Sequence, residues 1–89
     1  MSQAIVDPAE LRRFSKDLAR FNAELESLVA GLHGKMRNLE ATWRDQEQRK
    51  FADSFTDTVR VLQRFVQSSE EHAQFLNKKA EAVEAYLKR

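Results

Sequence analysis

His33 and His72 are the only imidazoles in this 89-residue chain, and cysteine is absent. Neither histidine has a glutamate three residues before it. The Glu-x-x-His pair with which helical bundles hold two metal ions is therefore missing. His72 lies beside an apolar run, next to Ala73 and near Leu76, a place that suits a packed or half-buried ring. His33 lies between Gly31 and Gly34 and suits solvent. Glu70 and Glu71 are adjacent, and adjacent helical positions point about 100° apart, so their carboxylates do not converge on one substrate. They read as a solvated face. No Gly-rich phosphate loop and no nucleophile beside a plausible base can be found. With no converging acid, base or ligand set, the expectation is a protein that is not an enzyme, holds no metal or cofactor, and works by binding.

The elements that position these residues are helices. Only two glycines and one proline occur, against abundant Ala, Leu, Glu, Lys, Arg and Gln, a balance that favours long helices over a turn-rich β fold. Asp7-Pro8-Ala9-Glu10 starts the first: Asp7 caps, Pro8 suits the first turn, and Glu10 completes a variant of the capping box. Apolar residues then recur at alternating spacings of three and four from Leu11, Phe14, Leu18 and Phe21 through Leu25, Leu28, Leu32, Met36 and Leu39 to Trp43. That is a coiled-coil seam with one stutter at Leu28–Leu32–Met36. Gly31 and Gly34 each weaken the helix by roughly 1 kcal/mol relative to Ala, and imply a bend or a close helix–helix approach.

A second run follows Asp45, which caps it. It carries Phe51, Phe55, Val59, Leu62, Phe65, Val66, Ala73, Leu76, Ala80, Val83 and Leu87, and ends in Lys88 and Arg89, where cations suit the helix dipole. Trp43-Arg44-Asp45 falls between the two runs. The chain thus predicts an all-α, antiparallel two-helix hairpin in one domain. Helix 1 covers about residues 8–42, the turn about 43–46 and helix 2 about 46–87, with a frayed arm over residues 1–6. Antiparallel register sets large residues against small ones, with Phe21 near Ser69. Helix 2 is apolar around a wider arc than one neighbour can cover, because Val61, Phe75 and Ala82 extend it. That surplus predicts a second copy and an antiparallel four-helix bundle, with Val61, Val66 and Phe75 at the dimer interface.

Fifteen cations are interleaved with fourteen anions, for a net charge of +1. A nucleic-acid binder would show a basic stripe, so none is expected as a partner. No apolar run reaches the roughly 18–20 residues that span a bilayer, and Met-Ser-Gln-Ala-Ile-Val lacks the layout of a signal peptide. The expectation is a protein that is cytoplasmic as synthesised, without membrane insertion, and that uses a route without a cleaved signal if it is secreted.

At the turn the chain resembles the WXG family, the small early-secreted-antigen-like helical hairpins associated with type VII secretion. The resemblance rests on length, on two helices of similar size and on Thr42-Trp43-Arg44-Asp45, with Phe51 and Phe55 where that family places the first apolar residues of its second helix. Here Asp45 replaces the glycine, so the motif reads W-x-D. The family's C-terminal tyrosine followed four residues later by an acid has no counterpart, since Tyr86 is followed by Leu87, Lys88 and Arg89. In the family a partner chain can supply that signal. The resemblance implies a substrate or component of a type VII-like secretion system. Its partners would be a second copy or a related hairpin, and a secretion ATPase or larger effector. The residues alone equally fit an intracellular coiled-coil adaptor that is not exported. Candidate protein-binding residues are Trp43, Arg44 and Asp45 at the tip and Phe65, Phe75 and Leu76 on helix 2.

Overall fold

The computed structural model describes residues 6–88, so most of the expected N-terminal arm, and Arg89, lie outside the described residues. Two helices, α1 (Pro8–Glu40) and α2 (Gln46–Leu87), fold back on each other, and no strand occurs among the described residues.

Asp7 caps α1 as expected. Its backbone is extended and its carboxylate accepts from the Ala9 N–H at 2.9 Å. Glu10 does not complete the expected box: its carboxylate pairs with Arg13, one turn further on. The helix also stops two residues short of the expected boundary. Its end tightens, with the Ala41 and Thr42 N–H groups donating three residues back, to Asn38 and Leu39. The Leu39 carbonyl collects three donors: the N–H groups of Thr42 (3.1 Å) and Trp43 (3.0 Å) and the Thr42 hydroxyl (3.2 Å).

The hairpin measures 66 × 22 × 13 Å. Its length matches 42 residues at about 1.5 Å each, and its least dimension is the thickness of one helix. On α2 the buried apolar positions are Val59, Val66, Ala73 and Ala80, a strict heptad repeat, with Ser69 beside them. On α1 the fully buried residues are both polar, Ser15 and Asn22. The α1 seam is therefore rotated from the expected one. Leu11, Leu18, Leu25 and Met36 are half-buried, but Phe14, Phe21, Leu28, Leu32 and Leu39 are exposed. The reason is space. Where α2 presents Ala73 and Ala80 the helices come close, and the Ser15 hydroxyl donates directly to the Ala73 carbonyl at 3.0 Å. Phe21 meets the edge of Phe65, with ring centroids 6.2 Å apart.

Polar ties hold both ends. At the open end Arg12 donates twice to Glu84, at 2.9 and 2.7 Å. These hydrogen bonds hold the Glu84 carboxyl below its ordinary value and raise Arg12. The contribution of this exposed pair is thus present at neutral pH and lost as pH falls through the lowered Glu84 value. At the tip the Gln48 side chain, nearly buried, donates to Glu40 at 3.3 Å.

Of the bend or close approach expected at Gly31 and Gly34, the close approach is absent within the hairpin, because a Cβ at either would meet nothing within 4 Å. Both lie inside α1. Gly31→Ala and Gly34→Ala should each raise unfolding free energy by about 0.5–1 kcal/mol, read from urea denaturation; a loss of stability would reveal a contact made to another molecule.

Candidate functional site

Each long side of the hairpin carries a different chemistry. On one side the side chains that the close seam rejects form a stripe. Phe14, Phe21 and Leu28 follow one another at seven-residue intervals, as do Leu32 and Leu39. Phe51, Val61, Phe65 and Phe75 accompany them on α2, all between 43% and 65% exposed. Phe14, Leu18, Phe65, Phe75 and Leu76 line an almost wholly apolar groove on this side, with His72 at its wall. His72 is exposed rather than half-buried as expected. On the other side Arg12, Lys16 and Asn22 of α1 line a polar groove with Glu70, Gln74 and Asn77 of α2.

Toward the tip four rings form a ladder. Trp43 lies 5.7 Å from Phe51, Phe51 stacks 6.2 Å from Phe55, and Phe55 lies 5.9 Å from His33. Trp43 is half-buried, with its ring against Phe51. Arg44 and Asp45 are exposed. Asp45 also caps α2: its backbone is extended (φ −100°, ψ −174°) and its carboxylate accepts from the Gln48 N–H at 2.9 Å. No described residue has positive φ. The W-x-D turn thus needs no glycine's conformational freedom, and aspartate adds a cap that glycine lacks.

The chain matches the family model described as proteins of 100 residues with WXG, over residues 3–86. It belongs to the WXG100 family. No curated protein matches it. Among solved structures it is similar to EsxB of Bacillus anthracis str. Sterne, described as a secreted protein. The wild-type EsxB crystal structure gives a TM-score of 0.80 at 24% identity, covering 92% of this chain and 94% of that one. A glycine-to-alanine mutant of EsxB gives 0.83 at 24%, covering 94% and 97%. A glutamate-to-glutamine mutant gives 0.84 at 23%, covering 93% and 99%. The shared feature is the two-helix hairpin over nearly the full length of each chain.

The structure divides the sequence-predicted residues of this WXG100 hairpin into two places. Phe65, Phe75 and Leu76 come together in the apolar groove with Phe14 and Leu18, which sequence reasoning had assigned to the hairpin seam. Trp43, Arg44 and Asp45 sit at the tip, about 45 Å along α2 from Phe75 at 1.5 Å per residue. Val61 is 59% exposed and Phe75 65%, but Val66 is only 4% exposed and is taken up by the hairpin seam. Sequence reasoning missed Gln48 and its link to Glu40; its place three residues after the cap was the available signal. Among the described residues no group of three or more His, Cys, Asp or Glu could hold a metal ion, and no helix is long and apolar enough to cross a membrane. Asp45→Ala should cost about 1 kcal/mol of stability, and Asp45→Gly only a few tenths, as thermal melts would record. Equal losses would show that the carboxylate cap contributes nothing.

Proposed function

We propose that this WXG100 protein acts purely by protein–protein binding. It pairs with a second copy across the apolar face to make a four-helix bundle, and presents Trp43, Arg44 and Asp45 to a larger protein of a type VII-like secretion system. The carrying observation is the apolar face itself. Taking a phenylalanine side chain as about 200 Å², the five exposed rings alone amount to roughly 500 Å². Leu28, Leu32, Leu39 and Val61 bring the face near the ~800 Å² that each partner contributes to a standard interface. Apolar patches of this extent on soluble proteins mark sites of association. WXG100 hairpins typically pair with themselves or with a partner. A copy of the same chain suits the face because a two-fold axis sets the identical stripe against itself, and the near-balanced charge of +1 adds little repulsion. At the tip, tryptophan and arginine are the residue types that most often dominate binding; the half-exposed indole beside Arg44 offers both.

Sedimentation of the purified protein tests the pairing. The unmutated chain should run as a dimer at micromolar concentration, and Phe75→Glu should shift it toward monomer, raising the dissociation constant at least tenfold. A stable monomer at high micromolar concentration would remove the self-pairing. Export is tested separately: the protein should reach the culture supernatant without lysis and stay in the cells when the membrane-bound secretion ATPase is disabled. Retention in both strains would favour the intracellular adaptor.

A further inference from the structure

Asn22 is the most deeply buried polar side chain of α1, and neither atom of its carboxamide has a hydrogen-bond partner. It lines the polar groove with Ser15 and Ala19 of α1 and Gln74 and Asn77 of α2. The Ser69 hydroxyl, the other orphan, lines the apolar groove instead and makes no hydrogen bond to it. We propose that the polar groove receives a helix of another protein, one that carries asparagine or glutamine along its inward row, and that Asn22 pairs with one of those carboxamides.

A carboxamide donates and accepts, and a second carboxamide answers both atoms at once. The backbone groups inside a helix are already bonded to one another, so the answering group is a side chain. The Asn22 amide makes no hydrogen bond within the hairpin, so turning it from the seam into the groove breaks none. Pairing there removes the penalty of an unsatisfied buried group. The walls repeat the same chemistry. Gln63, Gln67, Glu70, Gln74 and Asn77 follow one another at spacings of four and three, one exposed row along α2. Opposite them α1 presents Ala19, Ala23 and Ala30, small exposed side chains that let a third helix come close.

Glu26 and Gln63 lie one heptad on from Ala19 and Glu70, and so on the same side. There the groove continues past Val29 and Ala30 to Arg37. Lys16 to Arg37 spans about 30 Å, the length of a helix of roughly 20 residues. The groove at Asn22 is also the roomier one, about 830 Å³ against about 420 Å³ for the apolar groove, which leaves space for polar side chains from a partner. Lys16, Arg37, Glu26 and Glu70 line the polar side, and none has an ion-pair partner among the described residues. Two cations and two anions favour a near-neutral helix with charges of both signs over a strongly acidic or basic segment. The groove belongs to a single hairpin and lies opposite the apolar face, so the proposal stands apart from self-pairing.

The test is a titration of the isotope-labelled full chain, followed by its amide NMR shifts. The probe is a synthetic, lactam-bridged helical peptide of about 20 residues. It carries glutamine at inward positions spaced three and four, with glutamate and lysine on its flanks, and is made in both sequence directions. One direction should bind, with shifts centred on Ala19, Asn22, Gln74 and Asn77. Asn22→Leu and Gln74→Ala should each weaken binding at least about tenfold while urea denaturation shows both hairpins folded. Phe75→Glu should bind the probe as the unmutated chain does, whatever its own state of association. A probe with leucine at the inward positions should leave these shifts unmoved. The proposal is overturned if neither glutamine probe binds, if the shifts centre on Phe14, Phe65 and Phe75, or if both groove variants bind unchanged. A dimer of the unmutated chain that is lost in Gln74→Ala would make the groove a contact between copies and overturn it as well.

Discussion

A residue in a pair of helices has at most one neighbouring helix to hide against, and most of this structure follows from that limit. The hairpin is 13 Å thick, so no residue has a neighbouring helix on both sides. The space between the helices is filled mainly by small or slender side chains: Ser15, Asn22, Ser69, Ala73, Ala80 and two valines. Large rings cannot enter a seam this close, and they are displaced to one flank. The molecule's most apolar surface is consequently on its outside. In larger domains the apolar interior is closed within one chain; here the chain carries half of such an interior on its surface.

Register in so thin a structure is defined by polar contacts as much as by packing. The Ser15 hydroxyl reaches the Ala73 carbonyl, Gln48 reaches Glu40, and Arg12 reaches Glu84. Sliding one helix past the other would break all three. Asn22 is the counterweight. It is 2% exposed and neither of its amide atoms has a partner, and the Ser69 hydroxyl is similarly orphaned. Such groups cost about 1–3 kcal/mol each when left unpaired. A polar residue inside a helical seam narrows the acceptable registers at the expense of stability.

The ends of the helices were legible in the sequence because caps are local. Asp7, Pro8 and Asp45 act over two or three residues, and each is found where its type suggests. The α2 face was legible in part: Val59, Val66, Ala73 and Ala80 all belong to the expected apolar run, but Val66 was assigned to the dimer interface, and Phe51, Phe65 and Leu87 of the same run are exposed. The α1 face was not. Its three-and-four alternation marks an apolar arc without saying which edge of the arc turns inward to α2 and which turns outward. Phe14 and Phe21 belong to the same pattern as Leu11 and Leu18, and only the small residues opposite them on α2 decide the rotation. Ser15 and Asn22 hid the true seam, because polar residues are discounted in any hydrophobic pattern. The glycines were misread in part: of the bend or close approach they imply, the close approach within the hairpin is absent, because the space around both is open. At the tip, Asp45 stands where the family has glycine, and its extended backbone requires no positive φ.

The three polar ties also order the hairpin in time. Glu40 and Gln48 are eight residues apart, Ser15 and Ala73 fifty-eight, and Arg12 and Glu84 seventy-two. Closing a short loop costs the chain little entropy, and each doubling of loop length adds only about 0.6 kcal/mol. Once the tip is closed, every further pair lies next to one already made, so the helices join like a zipper from Trp43 outward. Contacts at the tip would then exist early on the folding path and govern the rate of folding, whereas the Arg12–Glu84 clasp forms last and governs how readily the open end frays.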